Sequence, residues 1–322
     1  MDLDRIKALV QEKHPKVQAA REEMAKIIVG QRHLVDRLLI ALLADGHVLV
    51  EGLPGLAKTL AVNTLAQITQ CSYKRIQFTP DLLPADLIGT SIFNPQKGEF
   101  EVRKGPIFTH ILVADEINRA PAKVQSALLE VMQERKVTIS GERYDAKSPY
   151  FVMATQNPIE SEGTYPLPEA QTDRFMMKVT IDYPNREEEE TILKRMGTLG
   201  PLPQVEGILS PDDILDLRKV VEAIHLDEKI EQYILDLVIA TRDEKHRSLL
   251  LFGASPRASL ALKIGAKAHA FLEGRPFVTP FDVKSLCHEV FRHRLRRTFE
   301  AEAENISSDA IIDTLLKEVI PP

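Results

Sequence analysis

A short apolar run beginning at Val48 leads into Gly52-Leu53-Pro54-Gly55-Leu56-Ala57-Lys58-Thr59, and a helical pattern follows at once. Strand, glycine-rich loop and helix in that order are what cradling a phosphate chain requires. The glycines let backbone N–H groups wrap the phosphates, and the helix N-terminus adds its partial positive charge. Lys58 supplies a cation and Thr59 a hydroxyl for Mg2+. The usual loop carries glycine just before the lysine. Ala57 stands there instead, so the loop is expected to keep that residue at an ordinary negative φ with room for a methyl. The bland alternative, a plain strand-to-helix turn with a chance lysine, is disfavoured by a second motif.

That motif is Ile111-Leu112-Val113-Ala114-Asp115-Glu116, an apolar strand ending in two carboxylates. In-line attack of water on a terminal phosphate needs a metal held by a carboxylate and a base that polarises the water. Asp115 suits the first task, through the water shell of the metal, and Glu116 the second. A strand ending in Asp-Glu is commonplace alone; downstream of a phosphate loop it is informative. Residues 151–155 then deliver Gln156-Asn157-Pro158 as they leave the sheet. Beside Asp115, Asn157 would reach the phosphate or the attacking water, whereas alone it reads as a turn asparagine before proline. Asp173-Arg174-Phe175 sets an arginine before the last strand, and Arg257 falls in the first turn of a later helix. Each is an ordinary surface cation unless a phosphate comes within reach, and one delivered by a neighbouring subunit would link hydrolysis to assembly.

The elements that must position these groups are legible in the apolar spacing. Residues 47–51, 75–78, 111–114, 151–155 and 176–181 read as buried strands alternating with helices, which implies a mostly parallel sheet covered on both faces. Leu34, Val35, Leu38, Leu39 and Leu42 put an amphipathic helix before the first strand. Beyond Asp182 helical periodicity dominates, with Ile214, Leu217, Val221 and Ile224 on one stripe and Ile230, Ile234, Leu237 and Val238 on another. Ser255-Pro256 and Thr279-Pro280 each place a capping side chain before proline at the first helical position. The predicted fold class is therefore α/β, residues 1–183, followed by a small all-α domain, residues 184–322, joined at Tyr183-Pro184-Asn185. The acidic run 187–190 reads as a solvated first helical turn. Residues 92–103 and 136–147, around Pro95-Gln96-Lys97-Gly98 and Ser140-Gly141, read as hairpins.

Composition removes several function classes. At 322 residues and 44% hydrophobic, the chain can bury a large core without staples. Its 2 cysteines, Cys71 and Cys287, suggest neither disulfides nor zinc, and a reducing, cytoplasmic setting is expected. No run is apolar enough for membrane insertion, and the first residues lack the pattern of a signal peptide. The net charge of −6 argues against a surface devoted to nucleic acid. The basic stretch 292–297 reads as a solvated helix end that favours the macrodipole. His288 and His293, five residues apart, do not match the spacing of a zinc-peptidase helix.

Phosphate loop, Asp-Glu strand end, asparagine-bearing strand, arginine before the last strand and helical lid with an arginine form an order that resembles the AAA+ ATPases. GLPGLAKT, ADEINRAPAKVQSALLEVMQE, FVMATQNP, YPLPEAQTDRF and GASPRASLAL are similar to the MoxR family, whose loop form also has alanine before the lysine. The resemblance runs from Val29-Gly30-Gln31 to the C-terminal helices. It implies a P-loop AAA+ core with a five-stranded parallel sheet, a helical lid, ATP and Mg2+ as cofactors, and hydrolysis of ATP to ADP and phosphate at the subunit interfaces of a ring, expected to be a hexamer. By position it implies Val29 and Gly30 near the adenine, Gly52 to Thr59 as the Walker A loop, Thr59 and Asp115 at the metal, Glu116 as the base and Asn157 as sensor 1. Arg174 would be the arginine finger towards the neighbour's nucleotide, and Arg257 the sensor-2 arginine of the lid. The hairpins match the helix-2 insert and the pre-sensor-1 hairpin of that branch, loops that tend to face the pore or the substrate.

The partner the resemblance implies is a protein client with a von Willebrand factor A domain, remodelled or activated in chaperone fashion, in some cases for metal-cofactor insertion. A nucleic-acid motor is the first alternative, since helicase-type relatives share the hairpins, but the hairpin cations are few and the net charge is negative. A P-loop small-molecule kinase needs no ring and leaves Arg174 and Arg257 idle. A non-catalytic nucleotide switch requires that Glu116 be disabled.

Overall fold

The computed structural model describes residues 2–157, 164–197, 200 and 203–322. Two helices, α1 (Leu3–Ile27) and α2 (Arg32–Leu43), precede β1 (Val48–Glu51), and α3 (Lys58–Ile68) follows it. β2 (Tyr73–Gln77) leads through α4 (Pro84–Ile88) into a hairpin of β3 (Gly89–Asn94) and β4 (Glu99–Lys104). β5 (Ile111–Asp115) is followed by α5 (Ala122–Glu134), a second hairpin of β6 (Lys136–Ile139) and β7 (Glu142–Asp145), then β8 (Phe151–Gln156), α6 (Glu169–Thr172) and β9 (Met177–Thr180). The remainder is helical: α7 (Arg186–Met196), α8 (Pro211–Ala223), α9 (Glu228–Ala240), α10 (Pro256–Leu272), α11 (Pro280–Phe291), α12 (Phe299–Ala303) and α13 (Ser308–Glu318). Two short strands, β10 (Leu250–Phe252) and β11 (Arg296–Arg297), pair antiparallel among them.

Five strands form one parallel sheet in the order β2-β5-β8-β1-β9. Alternate residues of each inner strand face opposite layers, as the two-residue period of a strand dictates. Val48, Val50, Ile111, Val113, Phe151, Met153, Met177 and Val179 join a core with α1, α2, α3 and the C-terminal helices. Leu49, Leu112, Ala114, Val152 and Ala154 join a second core with α5. Every inner strand is thus apolar on both faces, which is why it reads as an unbroken apolar run. Because the strands are parallel, their C-terminal ends emerge together: Glu51 lies level with Gln156 and Thr180, and Gln77 with Asp115.

The helix starts follow their caps. Ser255 Oγ accepts from the Arg257 N–H at the start of α10, and Thr279 and Asp282 cap each other's backbone at α11. The acidic residues 187–189 fill the first turn of α7, where Asn185 and Glu188 form a capping box. The basic stretch 292–297, in contrast, is not a solvated helix end. Arg294 is buried, its side chain 2% exposed, and donates to Asp173 Oδ1 (2.7 Å) and to the carbonyls of Asp173, Phe175, Met176 and Val290. Arg292 pairs with Asp309 and donates to the Lys178 carbonyl. These arginines fasten α11 to the start of β9. Glu289 of α11 fastens the same helix to α2 through His33 (2.8 Å) and Arg37 (3.3 Å). His288 pairs with Asp313, and His293 places Nε2 on the Phe175 carbonyl.

Candidate functional site

The loop after β1 and the ends of β2, β5 and β8 enclose a cavity of about 360 Å³, lined by Pro54 to Leu60, Arg75, Gln77, Asp115, Glu116, Thr155, Gln156 and Asn157. Its volume falls in the range of small-ligand sites. Gly52 has no room for a side chain, because a Cβ there would collide with Ile181 after β9. Gly55 takes φ of +86° with open space around it. Ala57 corrects the expectation set by its type: it adopts the left-handed conformation, φ 57° and ψ 17°, immediately before α3. For a residue with a Cβ this costs about 1–2 kcal/mol. The strained turn sets the loop at the cavity wall ahead of the α3 N-terminus, the position from which backbone N–H groups and a helix end can hold an anion.

Lys58 Nζ donates to the carbonyls of Gly52 (2.5 Å) and Leu53 (3.2 Å), closing the loop on itself. Burial lowers its pKa, opposed by the charges of Asp115 and Glu116. Asp115 is 6% exposed. Its Oδ1 accepts from Thr155 Oγ1 at 2.8 Å, and its Oδ2 from Arg75 Nε at 2.7 Å and Nη2 at 2.6 Å, with Thr59 Oγ1 at 3.4 Å. Thr155 Oγ1 also accepts the Glu116 N–H at 2.9 Å. Glu116 sits in a left-handed conformation, φ 53° and ψ 52°, and its Oε2 accepts from Gln77 Nε2 (2.8 Å) and Arg119 Nε (2.7 Å). Asn157, 8% exposed, lines the same cavity. The hard oxygens of Thr59 and Asp115, side by side at the phosphate loop, are a donor set that fits Mg2+.

The fold brings Lys58, Thr59, Asp115, Glu116 and Asn157 together. Leu53 packs on the core without lining the cavity. Val29 and Gly30 do not line it either: Gly30, at φ +73°, borders a separate groove with Arg32, Val35 and Glu188. Gln31 ties this turn to the Asp182 carbonyl, next to the Ile181 that lies against Gly52.

Arg174 and Arg257 lie elsewhere. Both line a second cavity, of about 350 Å³, with Gly46, His47, Asp173 and Arg294. Gly46 and His47 enter β1, whereas the phosphate loop leaves it, so the length of the sheet separates the two arginines from their own chain's loop. Four residues of strand at 3.3 Å each make that length about 13 Å. Arg174 makes no side-chain hydrogen bond or ion pair among the described residues, and its Nε is buried without a partner. Arg257 stands 3.6 Å from Asp173.

Sequence spacing missed Arg75, Gln77 and Thr155, while Arg119 stands in the family string ADEINRAP without a role until the structure sets it on Glu116. Arg75 and Gln77 alternate towards the end of β2, a pattern visible in sequence, but nothing there reveals that β2 borders β5. Thr155 was counted only as strand.

The family model described as "ATPase family associated with various cellular activities (AAA)" matches residues 47–177, and that of the AAA lid domain matches residues 242–315. "Chaperone MoxR1" of Mycobacterium tuberculosis is 49% identical over 93% of this chain and 81% of its own length. "Protein MoxR" of Paracoccus denitrificans is 31% identical over 94% of each. A crystal structure from Cytophaga hutchinsonii, provisionally described as an ATPase, superposes with a TM-score of 0.93 at 47% identity, covering 100% of this chain and 99% of that one.

Proposed function

This chain belongs to the MoxR family of AAA+ ATPases, and from that premise we propose that it hydrolyses ATP at sites shared between neighbouring copies in a ring, a hexamer in its simplest form, to remodel a protein client. The observation that carries the reading is the separation of the site's halves. Phosphate loop, Asp115 and Glu116 gather at the leaving end of the sheet, while Arg174 and Arg257 gather at the entering end. A side chain cannot cross the sheet, so a second copy must present its entering end to the first. Leu260, one turn after Arg257, is 66% exposed and lines the arginine cavity, which suits a surface that another copy covers.

In this reading the loop N–H groups and Lys58 hold the phosphates, with Lys58 giving up the Gly52 and Leu53 carbonyls for phosphate oxygens. Bound Mg2+ supplies charge neutralisation of the phosphates, at Thr59 and Asp115. Glu116 leaves Gln77 and Arg119 to orient and polarise the attacking water, and Asn157 holds that water or the terminal phosphate. The neighbour's Arg174 and Arg257 stabilise the charge that spreads over the phosphoryl oxygens. The adenine is assigned to the Val29–Gly30 turn. Residues 1–183 act as the nucleotide-binding domain and 184–322 as the lid.

The client is assigned as a protein, with a von Willebrand factor A domain as the partner class, in a cytoplasmic setting. The hairpin lysines Lys97, Lys104 and Lys136 support protein over nucleic acid. Lys97 pairs with Glu101 (2.7 Å) and Lys136 with Asp145 (3.6 Å), while Lys104 stacks over Phe108 and Tyr144, so these charges are engaged within the chain. The "chaperone" in the name of the mycobacterial relative supports the same choice. The test is steady-state ATP hydrolysis against protein concentration with the mass in solution recorded at each point. Specific activity that climbs as a larger species forms supports the shared site. Equal activity of a monomer at every dilution overturns it and favours a kinase-like enzyme.

A further inference from the structure

We propose that Arg75 and the metal that accompanies the nucleotide compete for the same oxygen of Asp115, which makes Arg75 a positioning residue that sets how much the metal contributes to nucleotide binding. The inference rests on the nucleotide reading of this cavity and concerns a residue outside the loop and strand-end motifs. Arg75 stands on β2, the edge strand, level with Val113, and its side chain runs along the sheet to reach Asp115. Both of its contacts, from Nε and Nη2, fall on Oδ2. Oδ1 is taken by Thr155. A carboxylate oxygen offers about two lone-pair directions, and the two short N–H contacts from Arg75 take them, leaving Thr59 Oγ1 at a long 3.4 Å.

The Asp115 side chain is only 9% exposed, and Oδ2 is the oxygen that faces Thr59. A divalent cation or its water that takes Oδ2 beside Thr59 therefore has to share that oxygen with the guanidinium. The two cations also repel at such range. Arginine stays charged at any working pH, so the competitor cannot be removed by deprotonation and has to move. Its side chain is 52% exposed, and swinging outward sacrifices little burial. Once displaced, its planar fork is suited to the phosphate oxygens that arrive in the same cavity. Arg75 thus exchanges Asp115 for phosphate. It shields ATP from the Asp115 carboxylate when no metal is present and yields that carboxylate when metal comes in.

The consequence is a ratio. With Arg75 in place, metal-free ATP meets a neutralised Asp115 and binds tolerably, while metal must displace a cation. Without it, metal-free ATP meets a bare carboxylate and metal enters unopposed. The experiment compares the dissociation constants of a fluorescent ATP analogue in EDTA and in Mg2+ for the full chain, with Mn2+ binding followed by electron paramagnetic resonance. In Arg75→Ala and Arg75→Gln the ratio of metal-free to metal-bound constants should rise about tenfold or more, while Arg75→Lys, which keeps the charge, stays close to wild type. A thermal melt on each variant separates folding from binding. If Arg75→Ala fails to fold, the contrast of Gln with Lys decides. A ratio unchanged in Arg75→Gln, with both affinities falling by one factor, marks a merely structural arginine and overturns the competition. A wild type that binds neither form overturns the nucleotide reading itself.

Discussion

The two ends of one parallel sheet are built on different terms. Where β1, β5 and β8 leave the sheet, the charged side chains are satisfied within the chain: Lys58 on two carbonyls, Arg75 on Asp115, Arg119 on Glu116. Where β1 and β9 enter it, Arg174 has no side-chain partner among the described residues, and Arg257 leans on an Asp173 that Arg294 already holds at 2.7 Å. A self-satisfied cluster must be opened by its ligand before it works. A buried donor with no partner is costly to keep, and the proposed shared site would give it an acceptor from a second copy. The difference is what the proposed shared site requires, a chain that carries the groups for phosphate hydrolysis at two ends that only a second copy can bring together.

The comparison breaks most visibly at its two extremes. Glu116→Gln should keep ATP binding and lose turnover by roughly a hundredfold or more, the loss of a general base. Arg174→Ala should lower turnover by about a thousandfold, the scale of an arginine finger, with ATP affinity of the dilute chain unchanged. Stopped-flow binding and steady-state turnover on the same preparations check both.

Next in size is Arg294→Ala, which removes one donor from the Asp173 carboxylate, leaving it Ser255 and the more distant Arg257, and one from each of four carbonyls. Removing one partner of a buried ion pair costs about 3–5 kcal/mol. Calorimetric melting should register that fall, and Arg257 should then settle on Asp173 and weaken the entering end further.

A smaller effect concerns the clasp between α2 and α11. Burial pushes the Glu289 carboxyl up, but the hydrogen bond from His33 and the charge of Arg37 outweigh it and bring the group down to about 2 from its ordinary 4.5. A carboxyl with a depressed folded-state pKa stabilises fully above its unfolded value, and that contribution is lost as pH falls through 4.5 towards 2. The shift is worth on the order of 3 kcal/mol. Wild-type melting temperature should therefore drop more steeply than that of Glu289→Gln between about pH 5 and pH 3, the variant starting lower.

The smallest change is Ala57→Gly. Relief of the left-handed strain, offset by extra freedom in the unfolded chain, should stabilise the protein by up to about 1 kcal/mol. A melting temperature that falls instead would mean the methyl is held by contacts that outweigh its strain.

Much of the molecule was legible in its sequence because the signals were local. Apolar runs such as 111–114 are buried on both faces and announce themselves, and Ser255-Pro256 and Thr279-Pro280 mark helix starts through backbone chemistry confined to a few residues. The loop before α3 and the Asp115-Glu116 strand end, which the fold brings to one cavity, are legible for the same reason. What escaped depends on neighbours remote in sequence. Arg75 and Gln77 matter only because β2 lies beside β5, and Arg294 is a buried staple only because the chain returns to the start of β9. The left-handed Ala57 escaped because residue type argues against it and only the closed loop imposes it.

The most direct test of a site shared between copies is to mix two dead variants. Glu116→Gln retains the arginine end and Arg174→Ala retains the loop end, so in rings assembled at random from equal parts about a quarter of the head-to-tail interfaces regain a complete site. Turnover recovering to about a quarter of the wild-type rate is what a shared site predicts. Two variants that stay inactive when mixed, under conditions where co-assembly is demonstrated, would mean that loop and arginines never meet across copies.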